Sequence, residues 1–266
     1  MVGSIRSPLF VPANRQDRFI KAAATETDAV ILDLEDAVPA EEKERARASL
    51  CCTFTEKPVL VRINAVRTPW YKGDVEALQD LPVSSLILSK AEDPAEITSL
   101  WKKLECRVPV IALIETAQGL ANVRAIVALD GVARLALGSI DLCADLGCAH
   151  QRDVLLPVRF ELVLASRLAG IAAPIDGVTA QINNPVAIRE DALHAKDMGM
   201  TGKLCIHPKQ ITEVRRAFAP SDTELEWAKR VLLSGSGAVS IDGEMVDEPV
   251  RIRARSILAA AQETSS

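Results

Sequence analysis

Aromatic residues make up only 3% of this 266-residue chain, and tyrosine occurs once. Set beside a 48% hydrophobic content rich in Ala, Leu, Ile and Val, that scarcity suits an aliphatic core of parallel strands and helices better than an antiparallel sandwich. Histidine is also sparse: His150, His194 and His207 do not flank the six cysteines, which include no CxxC pair. A zinc-binding spacing is therefore missing, and the cysteines read as reduced thiols. No apolar run approaches the ~20 residues of a membrane span, and the opening "MVGSIRSPLFVPANR" lacks a secretory apolar region. The protein reads as cytoplasmic, with no membrane partner. An excess of positive charge is absent as well. The net charge of −5 removes the electrostatic case for a nucleic-acid partner.

What is present is an alternation. Short apolar runs, "LFVPA", "AVILDLE", "VLVRIN", "SSLILSK", "PVIALIE", "RLALG", "PIDGV" and "GKLCI", are separated by amphipathic stretches such as "DPAEITSLWKKL", "TAQGLANVRAIVAL" and "PVAIREDALHAKDMG". Eight buried strands alternating with helices predict a (β/α)8 TIM barrel, and the length is close to the ~250 residues typical of one. Residues 1–220 then form the barrel and catalytic domain. Residues 221–266, with helical "DTELEWAKRVLLSG", turn-like "SIDGEMVDEP" and helical "VRIRARSILAAAQ", form a C-terminal helical extension, a candidate lid or oligomerisation arm.

Barrel chemistry gathers at the C-terminal ends of the strands. In chain order those ends carry Asp33/Glu35/Asp36, Arg62/Asn64, Lys90, Glu115, Ser139/Asp141, Asp176 and His207. Polar groups that end apolar strands are costly to bury unless paired or bound to a metal. Each has a plain alternative: Arg62 as a structural partner of Glu35, Lys90 as a solvated loop residue, Asp141 as a helix cap, His207 as a cap before Pro208. Their convergence points to a site. Glu115 and Asp141, at the tips of neighbouring strands, suit a hard divalent ion such as Mg2+, which takes one or two protein carboxylates and fills its octahedron with water and substrate oxygens. With no His or Cys beside them, zinc and copper are disfavoured. The Gly138-Ser139-Ile140 turn can present backbone N–H groups to a substrate carboxylate.

The segments "RSPLFVPANRQDRFIKA", "DAVILDLEDAVP", "VRINA", "VIALIETAQGL", "GSIDLCADLG", "IDGV" and "GKLCIHPKQI" together resemble the citrate lyase beta-subunit group of the HpcH/HpaI aldolase family, to which malyl-CoA and citramalyl-CoA lyases belong. The resemblance implies a Mg2+-dependent barrel enzyme that breaks or makes a C–C bond between an acyl-thioester enolate and a 2-oxo acid. It implies Glu115 and Asp141 as metal ligands and Arg62 as the group that binds the 2-oxo acid or the developing enolate. It casts Glu35 and Asp36 as the acids that hold Arg62 and metal-bound waters. By the same resemblance Arg15 and Arg18 are phosphate partners for the nucleotide of CoA, and Asp247 is a catalytic acid delivered by a neighbouring subunit of a trimer or hexamer. An acyl-carrier-protein thioester is an alternative substrate. Thioester hydrolysis, a malate-synthase-like reaction and non-catalytic acyl-CoA binding are the rival functions. Two places depart from the family pattern: Ile140 stands where an acid or Asn is common, and Ser89-Lys90 replaces Pro-Lys.

Overall fold

The computed structural model describes residues 2–265 apart from Ser236 and Asp242. Eight parallel strands run in sequential order: β1 Leu9–Pro12, β2 Val30–Asp33, β3 Val59–Ile63, β4 Ser85–Leu88, β5 Val110–Ile114, β6 Val132–Leu137, β7 Ala172–Asp176 and β8 Gly202–Lys203. Every strand coincides with one of the eight apolar runs. β7 begins two residues before "PIDGV", because Ala172 and Ala173 extend it. The sheet curls, bringing the segment after its last strand back to its first. Leu9 bridges Cys205 in parallel, and the N–H groups of Phe10, Cys205 and Lys203 donate to the carbonyls of Cys205, Pro8 and Arg6. The result is a barrel-like α/β fold.

Its interior follows from period-two alternation. Ile31, Leu60, Ile87, Ile111, Leu113, Ala136 and Ile175 point inward from successive strands and pack as one buried cluster with Ile5 and Leu204. At the N-terminal ends of the strands the cluster is closed by a charge. Arg134 is fully buried, and its guanidinium donates to the carbonyls of Ala173, Val2 and Ile5 and to the Thr201 hydroxyl at 2.7–2.9 Å. Burial lowers its pKa to about 10. A buried cation bonded only to neutral acceptors holds the first residues of the chain against β6 and β7, since each carbonyl released would be left unsatisfied.

The helices follow their capping signals. Asp93 caps Pro94–Lys103, accepting from Ala95 N at 2.8 Å with Pro at the first position, and Asn184 caps Pro185–Asp197 in the same way. The stretch "TAQGLANVRAIVAL" forms two short helices, Ala117–Ala121 and Val123–Val127. The break falls at Asn122, whose side chain turns away to donate to Glu92 O at 2.8 Å.

The chain divides into two compact units, Met1–Arg215 and Arg216–Ser266. The second unit packs helices Asp222–Leu233 and Glu248–Ser265 around Ala228, Val231, Val246 and Ala254. Ser221 and Glu224 form a capping box at the start of the first of these helices. The segment expected to be turn-like is a hairpin, with Val239–Ile241 antiparallel to Glu244–Val246. Gly243, at φ +83°, supplies a left-handed residue that side chains other than glycine seldom adopt; neighbouring Asp242 lies outside the described residues.

Candidate active site

At the C-terminal end of β2 and β3, Asp33 and Arg62 are register partners on adjacent strands. That pairing lets the guanidinium meet the carboxylate side-on: Arg62 Nε donates to Asp33 Oδ1 at 2.7 Å and Nη2 to Oδ2 at 2.6 Å. Its remaining nitrogen, Nη1, lies 2.9 Å from Glu35 Oε2, and the group stacks 4.8 Å above the Phe10 ring. Three contacts use three of the five N–H groups of an arginine, which leaves two to receive another anion. Burial opposes the Arg62 charge, but the carboxylates of Asp33 and Glu35 outweigh it and raise the pKa further.

Behind this pair, Lys43 is buried with its ammonium on the carbonyls of Leu34 and Glu35 and on Asn64 Oδ1 at 2.7–2.9 Å. Asn64 in turn donates to Asp74. This buried network holds the turn after β2, where Glu35 sits. Asp36 behaves differently from the expectation for it. The bonds of Arg62 go to Asp33 and Glu35, while Asp36 is an exposed residue of the cavity wall.

The second half of the site lies on β5 and β6. Glu115 follows β5 and is 3% exposed. Its Oε1 accepts the Lys90 backbone N–H at 2.8 Å. Burial, then the negative charge of Glu35, pushes its pKa up to about 8; Lys90 and Arg62 only partly offset them. Glu35 is raised for the same leading reason, burial. Asp141 lies in the first turn of helix Ser139–Leu146, half-exposed, with Oδ2 at 3.3 Å from Lys90 Nζ. The same ammonium is 3.3 Å from Glu35 Oε1. Lys90 is thus not a solvated loop residue but the hub joining Glu35, Glu115 and Asp141.

The turn from β6 into that helix is tight. Gly138 N donates to Ile114 O at 2.9 Å, and a Cβ at position 138 would lie 2.5 Å from Glu115 Oε2 and closer still to Glu115 Cβ. Only glycine allows the Glu115 carboxylate to lie against the helix start. Gly138→Ala is therefore expected to displace that carboxylate and lower divalent-cation affinity at least tenfold, while retaining the secondary structure; calorimetric titration with Mn2+ and circular dichroism check both halves.

Arg62, Asp33, Asp36, Glu115, Gly138, Ser139, Ile140 and Asp141 line one cavity of about 930 Å3, within the size range of small-molecule sites. Arg15 and Arg18 line it too, beside Lys21. Arg15 is paired with Asp17, both of its contacts being 2.9 Å. Ile140, 47% exposed, presents an apolar side chain to the same space. Ser139 is buried, its hydroxyl 2.9 Å from His150 Nε2. Burial and then Lys203 keep the His150 pKa below its usual value. His207 lines the cavity but caps the next helix, its Nδ1 accepting Lys209 N at 3.2 Å.

Two sequence candidates lie in other settings. Asp176 is fully buried, bonded to Lys203 Nζ and Arg159 Nε at 2.8 Å each, an internal ion cluster at the ends of β7 and β8. Asp247 belongs to the second unit, where its Oδ1 accepts Val250 N at 3.4 Å ahead of helix Glu248–Ser265. Reading the sequence alone missed the grip of Asp33 on Arg62, although aligning the two apolar runs by alternation places them opposite each other. It also missed Lys43 and His150, for which no local pattern signals a partner.

The donor chemistry fits a hard divalent cation. Carboxyl groups from the ends of two neighbouring strands line one cavity, and burial with the like charge of Glu35 pushes the Glu115 pKa up to about 8, a cost that a bound cation would relieve. Among the described residues no group of three His, Cys, Asp or Glu side chains is placed to hold a metal ion.

Fold and site together are those of a barrel-like α/β enzyme of the aldolase and lyase kind. The chain belongs to the HpcH/HpaI aldolase/citrate lyase family, whose pattern matches residues 6–208. A citrate lyase subunit beta-like protein of Mycobacterium tuberculosis is 39% identical over 269 residues, spanning 97% of this chain and 96% of that protein. A (3S)-malyl-CoA thioesterase of Cereibacter sphaeroides is 31% identical over 271 residues, with 97% and 94% covered. The crystal structure of CitE from Mycobacterium tuberculosis in complex with magnesium, acetoacetate and coenzyme A superposes with a TM-score of 0.88 at 36% identity, covering 98% of this chain and all of that one. Among the described residues no helix is long and apolar enough to cross a membrane.

Proposed function

We propose that this chain is a Mg2+-dependent carbon–carbon lyase acting on a 3-hydroxyacyl thioester of the citryl-, malyl- or citramalyl-CoA type, on a closed (β/α)8 barrel in the cytoplasm. The observation that carries the reading is Arg62, clamped by Asp33 and Glu35 with two N–H groups to spare, in the same cavity as Glu115 and Asp141. The family membership and the magnesium, acetoacetate and coenzyme A of the CitE complex support it.

Glu115 and Asp141 would hold the metal. When bound, Mg2+ supplies Lewis acidity toward the substrate hydroxyl and carboxylate oxygens, lowering the hydroxyl pKa. In cleavage the hydroxyl proton passes to a water of the cavity, its oxygen becomes the carbonyl of the 2-oxo acid, and the electron pair of the broken C–C bond passes to the thioester as an enolate. Arg62 is the cation already in place where that negative charge grows. Its orientation is set by Asp33, so none of it has to be reorganised during the reaction. With the Gly138 N–H already given to Ile114 O, the Ser139 and Ile140 N–H groups at the helix start receive the substrate carboxylate. Asp36, exposed at the wall, orients water. Arg15 and Arg18 meet the phosphates of the CoA nucleotide. Lys90 and Lys203 are not needed as nucleophiles, since the enolate requires no Schiff base.

Residues 1–220 are the catalytic barrel in this reading, and 221–266 are an arm of a homotrimer or hexamer that delivers Asp247 to a neighbour. There Asp247 gives the enolate carbon its proton in cleavage and removes it in condensation. Mixing inactive Arg62→Ala with inactive Asp247→Ala is expected to restore activity, because mixed oligomers regenerate sites with both residues intact. No recovery at any ratio, or an active Asp247→Ala variant, removes that role.

A second reading, thioester hydrolysis on the same site, is favoured by the (3S)-malyl-CoA thioesterase relative. Incubating the protein with Mg2+ and a panel of malyl-, citramalyl- and citryl-thioesters, followed by mass analysis, separates the two. Lysis releases a 2-oxo acid and an acyl thioester; hydrolysis releases free CoA and the intact hydroxy acid. Free CoA alone would overturn the lyase reading.

A further inference from the structure

Lys90 holds a conformation that a lysine rarely adopts. Its φ is +47°, in the left-handed region, so the surrounding structure imposes it. The residue serves the carboxylate cluster with both of its donors: the backbone N–H on Glu115 Oε1 at 2.8 Å, and the ammonium 3.3 Å from both Glu35 Oε1 and Asp141 Oδ2. The ammonium therefore lies between Glu35 and Asp141, on an Asp141 oxygen that a divalent cation would use.

We propose that Lys90 is a resident counter-ion of the carboxylate cluster, one that a divalent metal has to displace from Asp141 in order to load. The inference rests on the metal reading of Glu115 and Asp141. Two cations cannot share one carboxylate oxygen at hydrogen-bond distance without strong repulsion. The flexible four-carbon stem of lysine, 38% exposed here, gives the ammonium somewhere to go. The backbone N–H of Lys90 stays on Glu115 whichever cation is present, so loading moves a side chain and leaves the strand tip in place. The metal then binds weakly to the empty site, and an anionic substrate restores the favourable charge balance.

The test is direct Mn2+ binding, read by electron paramagnetic resonance on the full chain without substrate, for the parent, Lys90→Met, Lys90→Arg and Glu115→Gln. Lys90→Met keeps the stem and loses the charge; it is expected to bind Mn2+ at least fivefold tighter than the parent. Lys90→Arg keeps the charge and should remain within twofold of the parent. Affinity in Lys90→Met that is unchanged or weaker overturns the inference, and so does an equal gain in Lys90→Arg, which would place the effect in packing. The metal reading itself fails separately if Glu115→Gln binds as the parent does. If neither the parent nor Lys90→Met binds Mn2+, both readings fall.

Discussion

Glu115→Gln is expected to lower Mg2+-dependent turnover at least a thousandfold, equivalent to about 4 kcal/mol of barrier, while making the metal-free protein more stable at neutral and alkaline pH. Both effects come from one burial. The Glu115 carboxyl sits almost wholly out of water beside Glu35, which pushes its pKa up to about 8. In the unfolded chain it titrates near the ordinary glutamate value of ~4.3. Between those values the folded protein binds more protons than the unfolded one, so stability falls as pH rises through the window. Glu35, raised by burial as well, contributes in the same direction. Below the unfolded value both states are protonated and the cost disappears. Glutamine keeps the shape and cannot ionise. Melting temperatures of parent and variant, measured with chelator from pH 5 to 8.5, should therefore diverge as pH rises, the parent losing more. A difference that stays flat across the window removes the electrostatic account of Glu115. Turnover in the variant that Mg2+ still stimulates removes its role as a ligand.

Arg62→Lys is the other large effect: an expected loss of at least a hundredfold in kcat/KM, about 2.7 kcal/mol. Charge is conserved, but geometry is not. Asp33 takes Nε and Nη2 side by side and Glu35 takes Nη1, leaving a planar edge for the substrate. An ammonium has three donors and no plane; satisfying Asp33 and Glu35 leaves it little to offer an enolate. The shorter reach also gives up the stacking on Phe10. A lysine variant within threefold of the parent would show that the position supplies charge alone.

Much of this was written in the pattern of the chain. Each of the eight strands lies in an apolar run, because strands covered on both faces must be apolar along their length. Glu115, Arg62 and Asp141 were visible as polar residues interrupting that pattern at the tips. What stayed hidden depends on distance through space. Nothing local marks Lys90 as left-handed, or says that its ammonium would span from Glu35 to Asp141. Asp176 looks like Asp33 in sequence, a carboxylate ending a strand. The difference is made by Lys203 and Arg159, one on the next strand and one in the preceding helix, which close around it. Of the two acids assigned to Arg62, Glu35 meets it, and the second partner is Asp33 rather than Asp36, because a turn has no period from which to read side-chain direction. The hairpin near residue 243 was obscured because each of its strands is only three residues long.

The bridge from Leu9 to Cys205 has a consequence for how the protein is made. The first strand leaves the ribosome before the other seven, but the segment it bridges follows nearly two hundred residues later, a delay of about 10–40 s at ~5–20 residues per second. Throughout that interval one edge of β1 has open N–H and C=O groups and an apolar side ready to pair with another nascent chain. The buried guanidinium of Arg134, which binds the carbonyls of Val2 and Ile5, comes out before β8. It can tether the amino-terminal segment to β6 while synthesis continues, keeping the open edge near its eventual partner.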